Sequence, residues 1–241
     1  MDGTVMRLDE DKGITIRPIA RIHTDFPSKF GIPRQPGIVG SLQGKVVFEE
    51  EYRSDESLRG LDGFSHIWLI WGFSVSGGGH WSPTVRPPRL GGNERVGVFA
   101  SRSPFRPNPL GLSVVKLEGI VREPGIGMVL IVRGADMMDG TPIYDIKPYI
   151  GYSDRVENPV SGYASEPAGS RAGVEIPPEL LARVPEDKRE ALLGVLSQDP
   201  RPAYQDDPER IYGFGFAGMD IRFRVEDGTL YVCDIRRGDT I

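Results

Sequence analysis

From Ile14 to Lys147 the chain repeats one pattern, a short run of β-branched and aromatic residues followed by a stretch that contains glycine or proline. Branched and aromatic side chains suit a pleated sheet, and Gly and Pro end it, so the pattern predicts short strands joined by turns. The predicted strands are Ile14–Ile22, Lys45–Glu49, Phe64–Phe73, Arg95–Ala100, Ser113–Val121, Met128–Gly134 and Ile143–Lys147. Met128–Val132 is apolar on both parities, as expected of a strand covered on both faces or lining a barrel interior. Ser54 ahead of Asp55 and Glu56 predicts one short helix, because a serine cap and early acids satisfy free helix amides.

A change of character follows at about Glu157. Residues 157–178 are rich in Gly, Ser, Pro and Ala without periodicity, which reads as a linker between a mainly β unit over residues 1–156 and a small α+β unit over 179–241. Within the latter, Pro185–Gln198 carries early acids, an apolar stripe of Leu192, Leu193, Val195 and Leu196, and Pro200 as a stop, so it is predicted helical. Three short strands are predicted after it. Ile221, Phe223 and Val225 alternate with Arg222 and Arg224, and Asp227-Gly228 before Leu230–Ile235 is a hairpin signal.

Composition excludes several classes. The longest apolar stretch, Ile67–Phe73, falls far short of the roughly 18 residues of a membrane span. Residues 1–12 mix acids with bases, unlike an export signal. Cys233 is the only cysteine, so no intrachain disulfide forms, and a cytoplasmic location is expected. No G-x-S-x-G elbow is present, and the adjacent Ser65 and His66 would point to opposite faces of a strand, which argues against a serine hydrolase. His23, His66 and His80 lack metal-ligand spacing, so no metal is expected. Gly77-Gly78-Gly79 does not make a dinucleotide fingerprint. Asn108-Pro109-Leu110-Gly111 lacks the aromatic that an amino-methyltransferase loop would stack on its base.

The net charge of −5 argues against indiscriminate nucleic-acid binding, but its distribution is uneven. Between residues 86 and 106 stand Arg86, Arg89, Arg95, Arg102 and Arg106 against Glu94 alone, a local excess of four positive charges. Part of this excess sits in Ser101-Arg102-Ser103-Pro104-Phe105-Arg106-Pro107-Asn108-Pro109, where three prolines fix φ and present Arg102, Arg106 and Asn108 on a stiff surface. Such a loop suits a carboxylate or phosphate; solvated arginines on a braced connection would have the same composition. Gly134-Ala135-Asp136-Met137-Met138-Asp139-Gly140 follows the apolar Met128 run and places acids at a strand end, where they can accept hydrogen bonds or a proton. Asp139-Gly140 is equally ordinary turn chemistry. Phe30-Gly31-Ile32-Pro33-Arg34-Gln35-Pro36-Gly37 clamps a third basic residue between prolines.

Taken together these segments resemble the TsaA-like (TrmO) family, whose signature is similar to Gly97-Val98-Phe99-Ala100-Ser101-Arg102-Ser103-Pro104-Phe105-Arg106-Pro107-Asn108. The likeness extends to Pro33-Arg34-Gln35-Pro36-Gly37, Leu61-Asp62-Gly63-Phe64-Ser65-His66-Ile67-Trp68, Thr84–Asn93, Asp139-Gly140-Thr141-Pro142 with Asp145–Tyr149, and Gln198–Tyr204. The resemblance implies a small β-barrel methyltransferase domain followed by a smaller α+β domain, acting as a homodimer. It further implies N6-methylation, from S-adenosylmethionine, of threonylcarbamoyladenosine beside the anticodon of a threonine tRNA. Carried onto this chain, cofactor contacts fall on Pro33, Arg34, Gln35, Pro36, Gly37 and Ile38, on Val75 and Ser76, on Arg102 and Leu112, and on Arg133, Gly134, Ala135, Asp136 and Met137.

Arg102 is expected to grip the cofactor carboxylate, and Asp136 or a backbone carbonyl to take one of its donors. Arg86, Arg89 and Arg106 are expected to contact RNA phosphate, and Asp139 or water to accept the proton that leaves the target nitrogen. A noncatalytic tRNA- or nucleotide-binding module, or a methyltransferase with another substrate, would carry many of the same residues.

Overall fold

The structure is a computed structural model describing residues 13–73, 80–165, 172–201, 207 and 209–238. In chain order its strands are β1 Ala20–Thr24, β2 Gln43–Phe48, β3 His66–Gly72, β4 Thr84–Val85, β5 Val96–Gly97, β6 Leu110–Glu123, β7 Gly127–Arg133, β8 Thr141–Pro148, β9 Gly173–Glu175, β10 Tyr212–Phe216, β11 Met219–Glu226 and β12 Thr229–Arg237. Three α-helices are α1 Gly151–Asp154, α2 Pro178–Leu181 and α3 Glu186–Ser197.

Six strands close a barrel in the order β1-β2-β7-β6-β3-β8, and every pairing in it is antiparallel. Closure depends on β6, whose 14 residues pair first with β3 and then with β7, with Lys116 opposite both His66 and Arg133. A register shift between Leu117 and Gly119 interrupts the ladder to β7 just past the point where β6 leaves β3. Ala20, Ile22, Val46, Ile67, Leu69, Leu130, Val132 and Ile143 are fully buried inside. At one rim lie the ends of β1, β3 and β7 and the starts of β2, β6 and β8, and there the predicted site loops emerge.

Several predicted elements change extent. The strand predicted from Ile14 begins only at Ala20, because β2 ends at Phe48, opposite Ala20; Ile19 still accepts from the Glu49 amide and donates to the Ile143 carbonyl, but Pro18 before it has no amide to donate, and Ile14 and Ile16 are exposed. Of Arg95–Ala100, only Val96–Gly97 pairs, with β4, and Val98–Ala100 is a 3-10 turn whose Val98 amide donates to the Pro83 carbonyl. The helix after Ser54 is a 3-10 turn over Asp55–Leu58, and the Ser54 side chain does not cap it. Leu193 is half exposed, and Ala191 takes its place on the buried face of α3. The Asp227-Gly228 hairpin forms as expected, with φ of 49° and 74° at its two central residues, the left-handed pair that matches strand twist.

A second core lies under a four-stranded sheet in the order β10-β11-β12-β9. Gly173–Glu175, within the stretch read as linker, is its parallel edge strand beside β12. Ala191, Leu192, Val195 and Leu196 of α3 pack on Phe214, Phe216, Ile221 and Phe223. This core also takes in Phe26, Val39 and Leu42, with Phe30 and Ile32 against it, all from the segment between β1 and β2. Phe26 is fully buried with its ring edge-on to Phe216 at 5.5 Å.

The C-terminal sheet therefore completes its core with residues of the N-terminal half. Truncating Phe26 to Ala is expected to cost about 3–5 kcal/mol, the usual range for a buried phenylalanine. A fragment of residues 172–241 expressed alone should show no cooperative transition in scanning calorimetry, and a sharp one would show that the sheet is self-sufficient.

Candidate cofactor and nucleic-acid site

The Pro33–Ile38 loop is stitched to the barrel rim through its glycine. The Gly37 amide donates to the Gly134 carbonyl at 2.9 Å, and the Gly134 amide donates to the Leu42 carbonyl at 2.8 Å. Gly134 has φ of 78°, and a Cβ there would meet the Gly37 Cα at 3.1 Å, so both the backbone angle and the close approach require glycine. From the other side, the Arg102 guanidinium donates to the Gln35 side-chain oxygen, joining the proline-rich loop to this one. Two of the predicted loops thus meet with the end of β7.

Beneath them a polar chain crosses the barrel wall. The Trp71 indole donates to the Ser113 hydroxyl at 2.9 Å, and that hydroxyl donates to Asp136 Oδ1 at 2.7 Å. Ser113 is one of the few buried polar residues, and Gly111 leaves the Trp71 ring room that any Cβ would fill. Burial pushes the Asp136 carboxyl above the usual aspartate range, while the Ser113 hydroxyl and the charge of Arg102 pull the other way. A desolvated carboxylate facing an arginine's field is what a small zwitterion with an ammonium and a carboxylate would complement.

The remaining predicted contacts divide. Ala135 and Met137 point into the barrel core, so only their backbone is available to a ligand, and the Met137 carbonyl already accepts from the Thr24 hydroxyl at 3.0 Å. The Arg133 side chain is held by Glu118 at 2.5 Å and reaches the Ser41 carbonyl, away from Asp136's partners. Leu112, next to Ser113 on β6, is half exposed. Val75 and Ser76 lie outside the described residues, and Arg89 is described in its backbone only. Asp139 pins the start of the β1–β2 segment: its Oδ1 accepts from the Thr24 amide at 3.0 Å and meets His23 Nδ1 at 3.2 Å, and its own amide donates to the Phe26 carbonyl.

A cleft of about 1120 Å³ opens from the same loops. Arg34, Arg86, Arg95 and Arg102 line it together with Phe99, Phe105 and Tyr163, and among the described residues no acid does. Phe99 is 76% exposed and Phe105 47%, an expensive state for phenylalanine unless something stacks there. Arg106 does not line the cleft; one of its nitrogens donates to the Ser101 carbonyl at 3.0 Å and closes the loop on itself. Tyr163 was hidden from sequence reasoning, because it stands in a segment that reads as linker. Its hydroxyl donates to the Ala100 carbonyl at 3.0 Å, which brings that segment over the cleft. A lone tyrosine in a Gly- and Ser-rich stretch was the only signal.

Fold and site define a small antiparallel barrel with a cationic, aromatic-lined cleft beside a polar pocket at one rim. Comparison with known proteins gives the family. Residues 21–155 match the tRNA-methyltransferase O N-terminal domain and residues 172–238 the TrmO C-terminal domain, and the chain belongs to this family. It is 40% identical over 220 residues to the tRNA (adenine(37)-N6)-methyltransferase of Escherichia coli, a match covering 87% of this chain and 92% of that one. It is 38% identical over 233 residues to the putative S-adenosylmethionine-dependent methyltransferase RcsF of Pseudomonas aeruginosa, covering 93% and 99%. The crystal structure of TrmO from Pseudomonas aeruginosa superposes with a TM-score of 0.74 at 31% identity, covering 93% of this chain and 99% of the other.

The raised Asp136 gives a sign to pH dependence. A carboxyl that is harder to ionise folded than unfolded contributes most below its unfolded value, and the contribution is lost as pH rises through the folded one. Asp136→Asn, which can still accept from Ser113, should therefore raise the melting temperature at neutral pH, and the gain should vanish on acidification below the ordinary aspartate range. Melting curves across pH check this, and a gain that persists in acid would refute it.

Proposed function

We propose that this chain is an S-adenosylmethionine-dependent tRNA methyltransferase that methylates N6 of adenosine 37, beside the anticodon, with threonylcarbamoyladenosine of a threonine tRNA as its target. The observation that carries this reading is the cleft lined by four arginines and three aromatics, with no acid among the described residues, which opens directly from the Gln35–Arg102 contact in a chain of this family. Arginines suit a phosphate backbone, and exposed aromatic rings suit unstacked bases such as those of an anticodon loop.

Bound S-adenosylmethionine supplies an electrophilic methyl group on a sulfonium. The residues present fit it. Arg102 would pair the carboxylate and Asp136 would take the ammonium, with the backbone of Gly37, Gly134 and Ala135 beside them, where Gly37 and Gly134 approach each other as closely as glycine allows. Pro33, Arg34, Pro36 and Ile38 shape the loop, and Leu112, Val75 and Ser76 complete the contacts. The protein's share of catalysis is then mostly positioning, worth up to roughly 7–11 kcal/mol in favourable cases. Asp139, oriented by Thr24 and His23, is the group we assign to accept the proton of the target nitrogen. Arg86, which lines the cleft, and Arg89 and Arg106 from the same stretch of chain are assigned to RNA phosphate. The exposed apolar residues Tyr152, Val156 and Val160 support assembly as a homodimer, since monomers rarely leave such a series uncovered.

Two outcomes test this. A site that hydrogen-bonds the threonylcarbamoyl group leaves its own partners unpaired around plain adenosine, and discrimination of this kind reaches about 10⁴-fold. The same threonine tRNA with and without prior threonylcarbamoylation, assayed with radiolabelled cofactor, should differ by a factor of that order, and equal rates would overturn the modified base as target. Arg102→Ala should weaken cofactor binding by about 1.5–3 kcal/mol, the range for a hydrogen bond to a charged group. Calorimetry measures it, and an unchanged dissociation constant would move Arg102 away from the cofactor.

A further inference from the structure

We infer that the C-terminal domain is a positioning element for the cofactor loop, acting through Lys188 on Asp25 and Phe214 on Gly31. This rests on the reading that Pro33–Ile38 contacts the cofactor. The loop has no regular secondary structure, so its shape depends on what holds it from outside. Its flanks, however, are built into another core. Phe30 and Ile32 before it, and Val39 and Leu42 after it, pack with the sheet and α3 of the C-terminal half.

Each contact in that seam is close. Gly31, with φ of 92°, lies flat against the Phe214 ring, where any Cβ would clash. Gly194 in α3 lets Val39 approach so near that a Cβ there would meet Val39 Cγ1 at 2.6 Å, and Gly215 does the same for Pro27. Polar contacts fix the orientation. Lys188 of α3 donates to Asp25 Oδ2 at 2.7 Å, with both side chains largely buried, and the Ala217 amide donates to the Asp25 carbonyl at 2.9 Å. From Asp25 to Leu42 the segment thus has two supports, the barrel rim and the C-terminal core, and Gln35 and Gly37 hang between them.

The consequence is a coupling. If the loop occupies its binding-competent shape only because the C-terminal core holds it, loosening the seam lowers the competent fraction and weakens the cofactor by the same factor. Reciprocity requires that cofactor binding, in turn, stabilise the C-terminal domain, although none of its residues needs to touch the cofactor.

The test uses the full chain. Lys188→Met and Gly31→Ala should each raise the S-adenosylmethionine dissociation constant about tenfold in calorimetry, as expected if the competent fraction falls to about a tenth. Lys188→Arg should stay near wild type, and tRNA affinity measured without cofactor should change much less. In the wild type, adding cofactor should slow amide hydrogen exchange in α3 and β10. Dissociation constants within twofold of wild type in both variants, or exchange in α3 and β10 indifferent to cofactor, would overturn the coupling even if the variants fold poorly. A wild-type chain that binds no S-adenosylmethionine would instead overturn the reading of the loop itself, and the coupling with it.

Discussion

Residues 25–42 belong to two cores at once, and much of the rest of the structure depends on that sharing. Their ends are tied to the barrel rim, at Asp139 with Thr24 and at Leu42 with Gly134, while Phe26, Val39 and Leu42 are buried in the C-terminal core. A loop of this length has a large conformational entropy to lose, roughly 1–2 kcal/mol per residue, and its few internal contacts do not offset it. Burial of its apolar side chains under the second sheet does. The Lys188–Asp25 pair adds direction more than energy, because desolvating two charges cancels much of their attraction.

At the rim, the same economy governs electrostatics. Asp136 is kept partly out of water by the barrel wall and held in place by Ser113 and Trp71, so its carboxylate is oriented before any ligand arrives. The upward push that burial gives its pKa is the cost of that preorganisation, moderated by Ser113 and Arg102. Arg102 serves both sides of the site. It contributes to the field at Asp136, bonds Gln35 and lines the cationic cleft, so the polar pocket and the cleft share one side chain. An overall charge of −5 is compatible with RNA binding because, among the described residues, acids are absent from the cleft lining and several are paired elsewhere, as in Asp220 with Arg222 and Asp234 with Arg236.

Much of the architecture was legible in the chain. Strand formers separated by Gly and Pro gave six of the barrel strands their approximate places, and the Asp227-Gly228 hairpin and α3 followed from local turn and capping chemistry. Errors arose where pairing, not propensity, decides. Residues 14–17 have strand-forming side chains and no neighbouring strand, and Gly173–Glu175 lacks an obvious strand signal but finds β12. The family resemblance pointed to Arg102, Gln35, Gly37 and Asp136, segments far apart in the chain that the structure brings to one rim of the barrel.

The sequence by itself determined that this is a mainly β chain of the TrmO family with its basic charge gathered in one proline-braced stretch, because periodicity, breakers and motif residues are all local. Only the tertiary structure decided that Ala135 and Met137 face the core, that Asp139 ties down β1, that Tyr163 closes over the cleft, and that the Pro33–Ile38 loop leans on the C-terminal sheet. Each of these is a contact between residues far apart in the chain, fixed by barrel closure and by the sharing of a core. No window along a single sequence contains both partners.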